Sequence, residues 1–569
     1  MPPTGSVARA APAAASHRAG AVAAAAARLA RRAGVRLPDD LALWHLAGGR
    51  PAEAPTADGE RLTPDAAAWA LVDALAGTLT AEQRRRGAHY TPRPLADRVA
   101  GAALGAQDRP GAVVDPACGG GALLLAAADR LAAAGRDRAT VAAELLWGAD
   151  VDPLAAAVTE AAVALWSGGT PPASGHVVVA DVLDAGAAAW PTPPAGGFAA
   201  VVGNPPFQGQ LSRATARSRE DLARLRAHFG EVVGPYVDTA ALFLLVAVDL
   251  AARGGRVSMI QPQSTASARD AGPVRAALAE RARLVDLWAP TERLFAARVH
   301  VCVPVLEVDG GSSGSGDADW SGQVAAARGV PPVPLPTSGR TVPQLGERAR
   351  VLGSFRDHHY GLVGHVAEAA PGEDGHPLVT AGLVEIGALT WGRRPVRFAK
   401  RDWDRPVVDV AAVRAASRRL DGWLDVVLAP KLVVATQTRV LEAAADRDGR
   451  WVATTPTVTV VPLDPAELNR LLAAVCSPPA SAWVAARSAG SALGAESIRV
   501  TRSLLEALPL PTDRRAWDEA VAALAAGDLD GYAEAATAMH RLPRDAARAV
   551  VDWWRPRARS AWLASGALR

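Results

Sequence analysis

Between residues 112 and 308 short apolar runs alternate with stretches of helical composition, and few architectures accommodate that alternation. AVVD (112–115), LLWGAD (145–150), HVVVAD (176–181), FAAVV (198–202) and RVSMIQ (256–261) have the length and β-branched content of buried strands. LLLAAADRLAAAG, the stretch from Pro153 to Trp166, and DTAALFLLVAVDLAA (238–252) lie between them and predict helices. RLVDLWAP and VHVCVPVLEV (299–308) supply the last strands. The expected fold class is therefore α/β, a mainly parallel sheet with helices on both faces. Asp115, Asp150 and Asp181 each end a predicted strand, at the carboxyl edge where open α/β sheets bind their ligands.

The fourth strand runs into an unusual turn, Asn204-Pro205-Pro206-Phe207. Each proline fixes its own φ and removes an N–H, and Pro205 also pushes Asn204 out of the helical region. The expected product is a rigid tip that offers two acceptors, the Asn204 side-chain oxygen and the Pro205 carbonyl, beside an exposed ring at Phe207. Such a tip suits an amino group on an aromatic base. Pro-Pro alone would equally serve as a structural turn.

Composition narrows the function classes. Lysine occurs only at Lys400 and Lys431, so the positive charge is almost all arginine, and the net charge is just +3. Arginine suits bidentate phosphate and guanine contacts, but the Ala-Arg-rich composition makes overall basicity weak evidence for nucleic acid. Cys118, Cys302 and Cys476 are far apart and lack metal-ligand spacing, which argues against a zinc site or a disulfide framework. No metal site is expected. No uncharged run reaches the roughly 18–20 residues of a membrane span. The first 38 residues carry arginines and no acid, superficially like a transit peptide, yet the same compositional bias accounts for them. A cytoplasmic protein without a membrane partner is the expectation.

Residues 1–80 are Ala-rich and predict helices around VAAAAARLARRAGV and from Asp65 to Leu79. A basic turn, RRRGAHYTPRPLADRVA (84–100), leads into a helix with Pro94 near its start. Residues 211–230 are charged and read as a mobile insertion after the proline turn; its arginine-rich part, 213–226, is a second candidate for DNA contact, placed to close over it. GGSSGSGDAD (310–319) and PPVPLPTSG (331–339) place a linker at 310–345. Beyond it short strands such as KLVVATQT (431–438) and TPTVTVVPL (455–463) are expected to 512, then a helical tail over 513–569. In WGRRPVRFAKRDW (391–403), Arg393, Arg394, Arg397, Lys400 and Arg401 interleave with Trp391, Phe398 and Trp403. This is the candidate nucleic-acid surface, weighed against an ordinary solvated basic face. The His358-His359 pair has no partner pattern and reads as structural.

HYTP (89–92), DPACGGG (115–121), GADVDP (148–153) and GNPPF (203–207) are each weak alone. In this order and spacing they resemble the γ-class of S-adenosylmethionine-dependent N6-adenine DNA methyltransferases. The resemblance is strong over residues 84–308; beyond them KLVVATQTRV, an Asn469 helix and ALPLP (507–511) match in pattern only. It implies a Rossmann-like catalytic domain at 81–309 and an α+β target-recognition domain at 346–512. It also implies S-adenosylmethionine as cofactor and double-stranded DNA as partner, with restriction or defence-system proteins as further candidates. Asn204, Pro205, Pro206 and Phe207 would be catalytic. Tyr90, Thr91, Asp115, Ala117, Gly119, Gly121, Asp150 and Asp181 would hold the cofactor: Asp115 near the methionine ammonium, Asp150 on the ribose, Asp181 on the adenine amine. At Asp150 a helix N-cap is the competing role, which Asp152 beside Pro153 fills better. Gly120 departs from the family, which often has Ser or Thr there, so a hydroxyl contact is missing.

Three other functions compete. Glutamine methyltransferases acting on translation release factors also carry an NPP-aromatic turn, but they are shorter and lack a large C-terminal half; an RNA base is a further alternative substrate. A PD…E-x-K nuclease needs a lysine, and none precedes Lys400, which excludes its usual N-terminal position. A non-catalytic DNA-binding module would not need the complete tetrapeptide.

Overall fold

The computed structural model describes residues 7–51, 60–79, 91–105, 111–207, 218–290, 300–308, 319–335, 342–370, 375–491 and 497–565, together with 292, 294 and 372. Two compact units divide the chain, residues 1–318 and 319–569.

The first unit is built on an eight-stranded sheet. Its strands are β1 (Val113–Asp115), β2 (Leu146–Asp150), β3 (Val177–Val179), β4 (Phe198–Gly203), β5 (Ala251–Met259), β6 (Gln261–Pro262), β7 (Ala282–Trp288) and β8 (Val301–Val308). The order is β3-β2-β1-β4-β5-β8-β6, with β7 also paired to β8. β1 to β5 run parallel, whereas β8 is antiparallel to β5, β6 and β7. The order reverses between β1 and β4, and that is where a doubly wound sheet opens a crevice for ligands. The expected α/β class holds.

Local signals set the helix ends. Pro153–Ser167 starts with Asp152 accepting from Leu154 N at 3.0 Å and ends at Gly168 with φ +89°. Pro64–Gly77 starts with Thr63 accepting from Ala66 N at 3.1 Å, with proline in its first turn. Pro64–Gly77 and Pro153–Ser167 bury Leu71, Val72 and Val158 in one core with Val113 and Leu146 of the sheet. The N-terminal helices therefore belong to the core of this unit. Arg219–Phe229 is a helix, which corrects the expected mobile insertion over that part; residues 208–217 lie outside the described residues. Ser218 caps it, accepting from Asp221 N at 3.0 Å and donating to Asp221 Oδ2 at 2.7 Å.

In the second unit an antiparallel sheet joins Ala349–Gly353, Thr457–Pro462, Lys431–Ala435 and Ala443–Asp446. The stretch read as a linker contains a helix, Trp320–Ala327, that buries Trp320, Val324 and Ala325. The Gly-Ser run at 310–318 lies outside the described residues. The helical C-terminus is part of the core, where Trp517, Tyr532 and Trp554 are buried with Leu471 and Val484.

Lys431, one of two lysines in the chain, is fully buried and ion-paired with Asp446, which is 1 % exposed. Asp446 also accepts from Arg450 N at 3.1 Å and Trp451 N at 2.8 Å, so both carboxylate oxygens are engaged. A buried pair is worth little against an apolar replacement, but breaking one side strands a charge. Lys431→Met should lower the stability of the second unit by roughly 3–5 kcal/mol. The Lys431→Met/Asp446→Asn double variant should lose less, since Asn keeps an oxygen for the backbone N–H groups. Urea denaturation of the full chain checks both.

Candidate active site

At the carboxyl ends of β1, β2 and β4 lies a cleft of about 560 Å³. Its lining includes Asp115, Asp150, Asp181, Thr91 and Asn204, which the sequence scatters over more than a hundred positions. Ala117, Gly119 and Gly120 line it too. Tyr90 lies outside the described residues.

The glycine turn after β1 is held by backbone bonds. Gly119 N donates to Asp150 Oδ2 at 2.9 Å, and Cys118 N donates to Ala149 O at 2.9 Å. Asp150 Oδ1 accepts from Asp152 N at 2.8 Å. Asp115 Oδ1 accepts from Ala117 N at 3.0 Å. Gly119 and Gly121 have φ of +54° and +91°, conformations that an L side chain rarely adopts. Gly121 does not line the cleft; a Cβ there would sit 3.2 Å from Thr159 Oγ1, so it lets the turn pack on the helix Pro153–Ser167. At Gly120 a Cβ would meet Leu75 Cδ2 at 3.1 Å, which gives a packing reason for glycine at that position.

Burial pushes the Asp115 carboxyl up to about 8, a rise tempered by Ala117 N–H and reinforced by Asp150. Asp150 is also raised, again chiefly by burial. The same burial, with these two acids nearby, pushes the Cys118 thiol well up, so it stays protonated and is not a nucleophile.

The proline turn extends straight from β4. Asn204 Nδ2 donates to Thr91 Oγ1 at 3.0 Å. With its donor end engaged, the amide keeps Oδ1 as an acceptor for another group. Asn204 and Pro206 line the cleft, whereas Pro205 is buried and Phe207 is half-buried. The expectation of an exposed ring at Phe207 is corrected here: the residue is half-buried and packs against the core of the unit, where apolar area leaves water.

Asp181 stands just past β3 rather than at its end. It caps the short helix Val182–Ala185, accepting from Leu183 N at 3.1 Å. Its other oxygen lies 3.6 Å from Arg224 Nη1, and Arg224 also pairs with Asp184. Arg224, with Asp221 and Leu225 of Arg219–Phe229, lines the cleft. Sequence reasoning reached these three only within the arginine-rich 213–226 segment, as a second candidate for DNA contact and not as a wall of this cleft; the S-x-x-D pattern at Ser218 and Asp221 is the helix-start signal.

The five basic residues expected at a nucleic-acid surface lie in the second unit. Arg397, Lys400 and Arg401 are exposed on a hairpin of Val396–Phe398 and Arg401–Trp403. Ala399 and Lys400 form its turn with φ of +50° and +66°, positions where glycine is usual. Arg393 is exposed as well. Arg394 is drawn into the framework: it donates to Gly382 O at 3.2 Å and pairs with buried Glu385 at 3.4 Å. The aromatic residues do not interleave as a surface, because Phe398 and Trp403 are buried in the local core. Trp391 is half-buried and donates to Pro406 O at 2.9 Å. His358 is buried and stacks on Trp423 with centroids 4.5 Å apart, in keeping with a structural role.

Residues 74–312 match the family model described as N-6 DNA Methylase. No curated protein matches the chain. Among solved structures, a modification subunit assigned to a type I restriction enzyme of Vibrio vulnificus YJ016 is 18% identical, with a TM-score of 0.37 over 50% of this chain. The chain spans 61% of that subunit's length. The type IIL restriction-modification enzyme MmeI, solved in complex with DNA, is 13% identical with a TM-score of 0.49, over 90% of this chain and 80% of MmeI. A type I restriction-modification methyltransferase subunit from Streptococcus thermophilus is 21% identical with a TM-score of 0.33, over 47% of this chain and 52% of that one. Among the described residues no cluster of His, Cys, Asp and Glu could hold a metal ion, and no helix is long and apolar enough to cross a membrane.

The raised Asp115 carboxyl has a consequence for stability. Its folded value of about 8 exceeds the ordinary 3.8, so the folded chain binds the extra proton between those limits. The stability this provides is complete below about pH 4 and is lost as pH rises through 8. Asp115→Asn keeps the oxygen that accepts from Ala117 and removes the charge. In the ligand-free chain its melting temperature should exceed wild type by a margin that grows from pH 4 to 8 and then levels off. Differential scanning calorimetry across that range checks it; a margin independent of pH would contradict the assignment.

Proposed function

Taking residues 74–312 as a domain of the N-6 DNA Methylase family, we propose that the chain transfers a methyl group from S-adenosylmethionine to the N6 amine of adenine in DNA. The modification arm of a restriction-modification or phage-defence system in the cytoplasm is the corresponding role. One observation carries the assignment: the Asn204 amide, at the end of β4, is oriented by its bond to Thr91 and faces the same cleft as the strand-end acids.

The residues present fit the cofactor. A cleft of about 560 Å³ lies within the roughly 300–1,000 Å³ usual for small-molecule sites. Glycines at positive φ let a ligand approach the backbone closely, and several carboxyls surround the space, which suits a ligand carrying ammonium and sulfonium charge. When bound, S-adenosylmethionine supplies a methyl group activated by its positive sulfur. Asp115, Ala117 and Gly119 hold the methionine end with Thr91, Asp150 takes the ribose hydroxyls, and Asp181 takes the adenine amine. Asp150 already accepts two backbone N–H bonds, and a carboxylate has about four lone-pair sites, so capacity remains.

The N6 amine of adenine is a weak nucleophile because its lone pair is delocalised into the ring. Asn204 Oδ1 and the Pro205 carbonyl accept its two N–H groups, which localises the lone pair on nitrogen and holds it in line with the methyl. Proximity then supplies much of the acceleration. The bound cofactor would supply the methyl as its S–C bond gave way to the new N–C bond, its sulfur retaining the bonding pair, and the extra amine proton would leave to solvent. The target base has to leave the duplex to reach the cleft. Phe207 gives it an edge of aromatic surface. The second unit contributes DNA contacts through Arg393, Arg397, Lys400 and Arg401, whose exposure favours phosphate binding, while Arg394 acts through the fold.

Asn204→Ala should reduce methyl transfer by about 10²–10³-fold or more while cofactor affinity changes little. Methylation-sensitive sequencing of DNA from cells expressing each form reads the first effect, and calorimetry with S-adenosylmethionine reads the second. Transfer within a few-fold of wild type would overturn the assignment of Asn204.

A further inference from the structure

The second unit presents two aromatic rings to solvent. Among its described residues, Phe355 and Tyr360 are the aromatic side chains left exposed, at 59% and 69%, and Val363 beside them is exposed too. Phe355 stands at the amino end of the helix Arg356–Leu362, Tyr360 lies on it and Val363 follows it. The helix buries His358 and Leu362 instead. The His358-His359 pair braces this arrangement. His358 stacks on Trp423, as described above, and meets the Phe355 ring edge-on at 5.6 Å. Burial, with Arg419 nearby, lowers its imidazole below the usual range, so it packs as a neutral ring. His359 lies 4.7 Å from the Phe398 ring and 5.6 Å from that of Tyr360, with its Nδ1 3.4 Å from Thr454 Oγ1. Each exposed ring thus rests against a histidine that is itself packed on a more deeply placed aromatic residue.

Charge beside the rings is of one kind. Phe398, which touches His359, belongs to the hairpin of exposed cations, and its register partner there is Arg401. The ion pair on this hairpin joins Arg397 to Asp402 at 3.7 Å, which leaves Lys400 and Arg401 without an acid among the described residues. Asp357, the acid next to the rings in the chain, is paired with Arg419 at 3.0 Å. Flat apolar faces bordered by unpaired cations suit a polyanion that carries flat bases. An apolar protein surface would leave those cations unanswered.

We propose that Phe355 and Tyr360 form a stacking surface for unpaired bases of DNA, with Lys400 and Arg401 on the adjoining hairpin taking the phosphates of the same strand. The proposal rests on reading the chain as an enzyme that acts on DNA. A target base that leaves the duplex also unstacks its neighbours, so DNA handled in this way offers free base faces. Stacking is tolerant of sequence, because every base has such a face. The histidine pair, which takes no part in the chemistry, thereby acquires a reason: it fixes the two rings in the exposed position.

A pair of probes separates stacking from charge. A labelled thymidine strand of about 16 nucleotides carries bases, and an abasic strand of the same length carries the same phosphates without them. Fluorescence anisotropy with the full chain should show wild type binding the thymidine strand about tenfold or more tighter than the abasic one. The Phe355→Ala/Tyr360→Ala double variant should bring the two strands within about twofold of each other, with affinity for the abasic strand unchanged. Phe355→Leu and Tyr360→Leu, which keep apolar bulk without a ring, should act in the same direction and serve where the alanine variant does not fold. Lys400→Ala should instead weaken both strands and lower the salt slope by about 1. Equal losses for both strands in the ring variants would mean that the helix only props the hairpin, and an undiminished preference would mean that the rings do not meet bases. Either result overturns the proposal; an undiminished preference together with a smaller species in sedimentation would assign the face to contact between two copies of the chain. A wild type without preference for bases overturns the proposal and leaves the DNA reading standing. A wild type that binds no duplex DNA overturns that reading, and the proposal with it.

Discussion

A backbone amide donating to a buried carboxylate underlies the geometry of the first unit. Gly119 N–H meets Asp150 from 31 residues away, and the neighbouring Cys118 N–H meets Ala149 O. Together they fasten the turn after β1 to the end of β2. The helix Ala122–Ala133 then begins from a left-handed Gly121, with no side-chain cap at its amino end. Two neighbouring helices are seated on that turn, Leu75 against Gly120 and Thr159 against Gly121, while Thr91 accepts from Asn204 at the end of β4. A side chain at Gly119 would be strained by φ alone, before any contact is considered.

Much of this was legible because it is local. The strands of the sheet, the acids at their ends and the proline turn are all carried by short contiguous runs, and each has a mechanism at the scale of a few residues. Asp152 could be preferred to Asp150 as the helix cap because proline follows it directly, and the structure has that bond. What stayed hidden is carried by pairs far apart in the chain. Arg18 and Asp152 are 134 residues apart, and nothing in an Ala-rich helix marks one arginine among many. Composition also misled. Phe398 and Trp403 sit among arginines as stacking residues on a nucleic-acid surface would, yet a two-stranded hairpin alternates its faces, and both rings point into a core while Arg397 and Asp402 take the other face; Arg401, on the rings' own face, lies over Trp403 at 4.2 Å from its centroid. The charged run at 219–229 suggests a loop because few of its residues are apolar; its cap and its single buried Leu225 make it a helix.

Position of charge, rather than amount, distinguishes the two units. In the second unit the buried pair Lys431–Asp446 is closed: the lysine has its acid, and the acid has two further backbone donors. Arg394 similarly answers Glu385 next to Glu442, whose carboxyl burial pushes up to about 8. These groups hold a framework and leave the exposed hairpin cations available. In the first unit Asp152 and Asp181 have arginine partners, whereas Asp115 and Asp150 face the cleft with no ion pair among the described residues.

That openness has a thermodynamic cost and a chemical use. Asp115 at about 8 is a carboxyl that the ligand-free fold prefers protonated at neutral pH. A cation brought beside it reverses the preference, since opposite charge favours the ionised form. Binding a cationic ligand therefore takes up part of the strain that burial put into the strand end, and does so only for a ligand that places positive charge there. In the proposed reaction the same acids would discriminate between donor and product. Methyl transfer converts a sulfonium into a neutral thioether, so the product enters the acid-lined space with one charge fewer and a weaker electrostatic hold. Residues that cost the empty protein stability would thus favour the methyl donor of the proposed reaction over what remains after transfer. A cleft lined with neutral side chains of the same shape would be more stable and would lack that preference.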